Sequence, residues 1–144
     1  MADAVKNKIK VMLDGDAYIP VKAHSTDAGY DLRTPKEFTV RAGGSYSIDT
    51  GVHMLIPSGY VGLLKSKSGL NVKHGLQGEG VIDCGYTGSI VVKLYNHSYD
   101  DYHFHKGDKI IQIVLLPIPD FDVSVVSSFP ETERGEAGFG SSGK

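Results

Sequence analysis

Ser89-Ile90-Val91-Val92-Lys93-Leu94-Tyr95 is dense in apolar side chains of the types that suit a pleated surface, and it reads as a strand. Ile110-Ile111-Gln112-Ile113-Val114-Leu115 repeats the pattern. Both runs predict strands covered on two faces, or on one face by a partner subunit. Outward from them, apolar and polar residues alternate in Ile9 to Leu13, Phe38-Thr39-Val40, Tyr46-Ser47-Ile48 and Phe121-Asp122-Val123-Ser124-Val125, the period of strands with one wet face. Turn chemistry separates the runs at Gly43-Gly44, Pro57-Ser58-Gly59, Gly85 to Gly88 and Lys106-Gly107-Asp108. This spacing points to an all-β sandwich or barrel.

Only Ser68 to His74 suits a helix, with Ser68 as the capping hydroxyl and Gly75 as its left-handed end. After Ser127 the pattern dissolves. Gly135 to Lys144 is a glycine-serine tail that buries too little to hold itself in place, which predicts a flexible arm. A chain of 144 residues has room for one core, so the expected division is a single domain over 1–133 and the arm over 134–144.

A net charge of −2 with interspersed signs leaves no basic field for a nucleic-acid backbone, so an anionic ligand must be met by a few placed cations and backbone N–H groups. The lone Cys84 forms no intrachain disulfide and is expected as a small packing residue. With no signal-like or membrane-spanning run, the expected setting is intracellular, cytoplasmic or nuclear.

Two carboxylates stand inside apolar strand ends, where they are costly unless paired or employed: Asp31 in Ala28-Gly29-Tyr30-Asp31-Leu32 and Asp83 in Gly80-Val81-Ile82-Asp83. They are the candidates for metal or general-base work, although an isolated Asp in a β protein more commonly caps a turn. Gly138 to Lys144 fits the Gly-x4-Gly-Lys spacing of a phosphate loop, but the following Ser or Thr and the helix are missing. Its glycines and the Ser141 and Ser142 hydroxyls would still suit closure over a polyphosphate. His103 and His105 share a strand face without a third metal ligand at useful spacing, and a solvated face is the ordinary reading.

Five segments in order resemble the motifs of the trimeric dUTPase family. They are Ala28 to Leu32; Lys67-Ser68-Gly69-Leu70; Gly80 to Asp83 with Tyr86 and Gly88; Gly107-Asp108-Lys109-Ile110-Ile111-Gln112; and Arg134 to Gly143. The resemblance runs from Ala28 to Lys144 and implies a jelly-roll or barrel-like homotrimer with sites shared between subunits. It implies hydrolysis of dUTP to dUMP and pyrophosphate with Mg2+. Asp83 would activate the water that attacks the α-phosphorus, and Asp31 would reach the metal through a water. Uracil would meet main-chain groups around Gly80 and Val91, with Tyr86 on the deoxyribose. Lys67, Ser68, Gly69 and Gln112 would face phosphates, Arg134 would clamp the chain's charge, and Phe139, Gly140, Ser141 and Ser142 would close as a lid.

The sequence departs from the family where Ser66-Lys67-Ser68 replaces Pro-Arg-Ser, where Lys109 replaces Arg, and where Cys84-Gly85 precedes Tyr86. Lysine keeps the charge but not the forked geometry. The related dCTP deaminases share the Ile-Asp segment. Their chemistry needs a glutamate and an arginine at positions held here by Lys93 and Val81. A non-catalytic nucleotide sensor is the other alternative, and it would not need a base at Asp83.

Overall fold

The computed structural model describes residues 8–140 and Gly143. Alternating segments become strands wherever another strand satisfies their backbone. In chain order these are β1 (Lys10–Leu13), β2 (Gly29–Arg33), β3 (Phe38–Val40), β4 (Ser45–Asp49), β5 (Val52–Leu55) and β6 (Tyr60–Lys65). A helix, α1 (Ser68–His74), is followed by β7 (Leu76–Gln77), β8 (Glu79–Ile82), β9 (Val91–Asn96), β10 (Tyr102–Phe104) and β11 (Lys109–Pro117). The all-β expectation with one short helix holds.

Strand pairing yields a four-stranded sheet ordered β2-β11-β6-β8, a three-stranded sheet β4-β9-β7, and the pairs β1-β5 and β10-β3. Every ladder is antiparallel. Pairing among the described residues does not close a barrel, which narrows the barrel-like expectation to packed open sheets. Between them lies a core that includes Leu32, Val40, Ile48, Val92, Phe104 and Ile113, all essentially inaccessible to solvent. Phe38 stacks on Tyr46 at 4.7 Å and on Phe104 at 4.9 Å, each pair contributing about 0.5–1.5 kcal/mol beyond simple burial. Buried polar groups are bonded: Thr50 donates to the Ile90 carbonyl at 2.7 Å, and Asn96 donates to Val40 and Asp100 carbonyls.

One expectation narrows, since the two-sided burial of the β9 run is not seen, and three change. β9 buries Val92 and Leu94 but turns Val91 and Tyr95 outward, so one of its faces is open in a single chain. Ser68 does not cap α1: Lys67 is the N-cap residue, without a side-chain cap, because the helix begins one position earlier than the hydroxyl requires. Gly75 does end the helix, at φ 67°. Cys84 lies exposed in the turn after β8, not packed, because the sheet ends at Ile82 and the chain turns away from the core.

Finally, Phe121 to Val125 forms no strand among the described residues. Phe121, Val123 and Val125 are 77%, 96% and 98% exposed, since among the described residues no strand lies beside them. Among the described residues, the last hydrogen bond to the body is Ile118 N–H to the Gly59 carbonyl at 2.9 Å.

Candidate active site

The first, second and fourth motif segments meet on the four-stranded sheet. Asp31 on β2 lies opposite Gln112 on β11, which lies opposite Lys65 at the end of β6, two residues before Lys67. This register places a carboxylate under two ammonium groups. Lys67 donates to Oδ1 of Asp31, and Lys109 stands 3.2 Å from Oδ2. Asp31 is only 5% exposed. Burial pushes its carboxyl upward, yet the hydrogen bonds and charges of Lys67 and Lys109 outweigh burial and hold it below the ordinary 3.8. Two lysines and one carboxylate leave the cluster with a surplus positive charge.

Gln112 fixes the second motif as well. Its Nε2 donates to the Ser66 carbonyl at 3.1 Å. Ser66 Oγ in turn accepts from Gly78 N–H at 3.0 Å and donates to the Gly78 carbonyl at 3.2 Å, tying the end of β6 to the link between β7 and β8. Ser68 and Gly69 open α1 and are exposed beside this knot.

The third segment lies at the opposite edge of the same sheet. Asp83 follows β8 directly and is exposed, and among the described residues its carboxylate has no hydrogen-bond or ion-pair partner. Its carbonyl accepts from Tyr86 N–H at 3.2 Å, and Gly85 takes φ 83° to close the turn. The Tyr86 ring lies over Gly88, where a Cβ would stand 2.3 Å from the phenol oxygen, and the phenol donates to the Ser89 carbonyl at 2.9 Å.

β8 is the outer strand of its sheet, while β9 pairs with β4 along its length and with β7 only at Tyr95 and Asn96. No ladder joins β8 to β9 among the described residues. Gly80 and Val91 therefore sit on facing strands with backbone edges free.

Asp31 and Asp83 do not meet within one chain. Three strand spacings and four residues of strand separate them, roughly 20 Å at ordinary sheet dimensions. The fifth segment is apart from both. Arg134 folds back to donate to the Ala137 carbonyl at 2.6 Å, and Phe139 is fully exposed at φ 52°, with Gly140 beside it at φ 102°. Ser141 and Ser142 lie outside the described residues. Ser66 and Lys109 are the cluster members that sequence reading did not place among the site residues. Their signals were position, Ser66 directly before the second motif segment and Lys109 within the fourth, and the departures from the family pattern there.

Among the described residues no three His, Cys, Asp or Glu side chains converge as a metal cage. Asp31, with each oxygen facing a lysine, keeps lone pairs that can accept from a water, which fits a magnesium ion that keeps its hydration shell and comes with phosphates.

Fold and site thus define a mostly-β chain with a lysine-rich cluster at one sheet edge and a carboxylate-bearing turn at the other. A family model described as dUTPase matches residues 16–143. The deoxyuridine 5'-triphosphate nucleotidohydrolase of Kluyveromyces lactis is 41% identical over 147 aligned residues, covering 100% of this chain and 99% of its own. That of Saccharomyces cerevisiae is 40% identical, covering 94% of each. Among solved structures, a mutant dUTPase of Staphylococcus bacteriophage 80alpha with dUpNHpp superposes with a TM-score of 0.90 at 32% identity, covering 96% of this chain and 100% of that one. A mutant dUTPase of S. aureus phage phi11, described for its coordination of a structural Mg(II) ion, gives 0.80 at 30% identity, covering 85% and 99%. The chain belongs to the dUTPase family.

Proposed function

We propose that this chain is a dUTP diphosphatase, which cleaves the bond between the α-phosphorus and the bridging oxygen to release dUMP and pyrophosphate. The observation that carries this reading is the turn after β8, where among the described residues the Asp83 carboxylate has no partner, a phenol ring lies over Gly88, and no ladder covers the facing edges of β8 at Gly80 and β9 at Val91. Asp83 takes a proton from the attacking water as its oxygen bonds to the α-phosphorus, and pyrophosphate leaves with the electron pair of the broken bond. Free main-chain donors and acceptors suit the edge of uracil, and the Tyr86 ring suits the face of a sugar lacking a 2′-hydroxyl.

The surplus positive charge of Lys67, Lys109 and Asp31 suits a triphosphate, with Ser68, Gly69 and Gln112 bordering it. Asp31 would hold a magnesium ion through one of its waters, and the ion would supply charge neutralisation to the triphosphate. Arg134, Phe139, Gly140, Ser141 and Ser142 would form the closing arm, with the arm boundary at 133/134.

Separation of the lysine cluster from Asp83 in one chain supports a homotrimer in which one subunit supplies the turn and another the phosphate cluster. The exposed alternation at Phe121, Val123 and Val125 supports the same reading, since a neighbouring subunit can cover it. Pyrophosphate release with magnesium, compared across dUTP, dCTP, dTTP and UTP, tests the proposal. Release from dUTP alone is expected, and an inert protein would refute it.

A further inference from the structure

His53 stands on β5, opposite Met12 of β1, outside every motif segment. Both of its ring nitrogens are engaged: Nδ1 lies 2.7 Å from the Thr87 carbonyl oxygen and Nε2 lies 2.7 Å from Oδ2 of Asp14. A carbonyl and an ionised carboxylate can only accept, so both nitrogens must carry hydrogens for both bonds to exist. That species is the imidazolium. A neutral ring has one N–H and must surrender one of the two contacts.

Thr87 sits between Tyr86 and Gly88. The turn is moored at a second point by Ser89, whose hydroxyl donates to Asp49 Oδ2 at 3.0 Å, while Asp49 Oδ1 accepts from Gly51 N–H at 2.9 Å. The far end of the histidine link is also anchored: Asp14 N–H donates to the Gly51 carbonyl at 2.9 Å, and its own carbonyl accepts from Ala17 at 2.8 Å. His53 therefore connects a fixed loop to the one segment that orients the Tyr86 ring.

We infer that His53 is a positioning residue for the base-and-sugar turn: charged, it clamps Thr87 and holds the Tyr86–Gly88 wall; neutral, it releases one side of the clamp. The inference rests on the proposed role of that turn in binding dUTP. Charged groups around the ring are Asp14 after β1 and Asp49 at the end of β4, with Lys10 of β1 on the same apolar groove beside Met12, Met54 and Leu55. The Thr87 carbonyl, then Asp14, hold the imidazole above its ordinary 6.5 against partial burial. Because the folded value is raised, the clamp is complete below about 6.5 and is lost as pH rises through the higher folded value.

Nitrogen-detected NMR of the full protein, combined with dUTP kinetics from pH 6 to 9 (about the range in which such a ring titrates), tests this. Wild type should show both His53 nitrogens protonated at low pH, a titration midpoint above that of a free imidazole, and Tyr86 and Gly88 amide shifts that follow it. Asp14→Asn should lower the midpoint. KM for dUTP should rise roughly two- to fivefold across that titration, the size of one exposed charged contact, with kcat moving less. His53→Gln should hold the higher KM at all pH values without the step.

A midpoint at or below the free value, amides that ignore the titration, or an unchanged pH step in His53→Gln would each overturn the inference. Wild type that fails to cleave dUTP would instead refute the proposed function, leaving the clamp to be judged by the NMR titration alone.

Discussion

The amide oxygen of Gln112 occupies the space that a side chain on Gly29 would need: a Cβ there would stand 2.4 Å from Oε1 and 2.9 Å from the Gln112 Cβ. Glycine in the first motif thus makes room for the glutamine of the fourth, which holds the Ser66 carbonyl of the second. Three segments distant in sequence are locked by one missing methyl group.

Gly29→Ala should therefore displace Gln112 and free Ser66. A destabilisation of about 1–3 kcal/mol is expected from overpacking, with a raised KM for dUTP. Urea midpoints and steady-state kinetics on the same preparation check both, and a variant matching wild type in each would contradict the packing account.

Asp83→Asn should keep the fold and nucleotide binding while losing roughly 10²- to 10⁴-fold in turnover, the usual worth of a general base. Calorimetric binding of dUTP set beside pyrophosphate release separates the two effects. An unimpaired rate would remove Asp83 from the mechanism.

Asp31 should govern acid stability. Its carboxyl is held below 3.8 by two lysines, so its contribution is present above that value and fades as pH falls through the lower folded value. Asp31→Asn leaves Lys67 and Lys109 without their shared counter-charge and should cost about 1–3 kcal/mol near neutrality. The figure lies below that for a fully enclosed pair because the lysine side chains are 28% and 34% exposed. Denaturation midpoints should converge for the two proteins in acid; a constant gap down to the lowest pH would contradict the assignment.

Shared sites make a sharper claim. Asp83→Asn and Asp31→Asn subunits, each poorly active alone, should regain activity when unfolded and refolded together, because roughly a quarter of randomly assembled sites draw both intact halves from different chains. Mixed material no better than the average of its parents would place each site within one subunit.

Val123→Asp should weaken assembly and leave the strands of the isolated chain intact, since this side chain is 96% exposed in the single subunit. Sedimentation velocity and circular dichroism would read the two outcomes. An unchanged sedimentation coefficient would mean that nothing covers the alternating segment.

Strand segments and turns were readable because their causes are local. Alternation at Phe38 to Val40 and the positive-φ glycines at 59, 85 and 107 report themselves within a few residues. Phe121 to Val125 carries the same local signal and forms no strand, since a pattern says which face wants cover but not which chain supplies it. Ser68 failed as a cap for a similar reason: the turn that leads out of β6 set the helix start, and the hydroxyl fell one residue too late.

The sequence by itself determined the β architecture, the single helix ended at Gly75, and the ordered segments that carry the family likeness, all of which depend on residue type and short spacing. Only the tertiary structure decided that Asp31 lies beneath both Lys67 and Lys109, that Asp83 stands at the other edge of the same sheet, and that His53 reaches Thr87. Those relationships follow from strand order and register, which are fixed by the packing of residues far apart in the chain and leave no mark on any one segment.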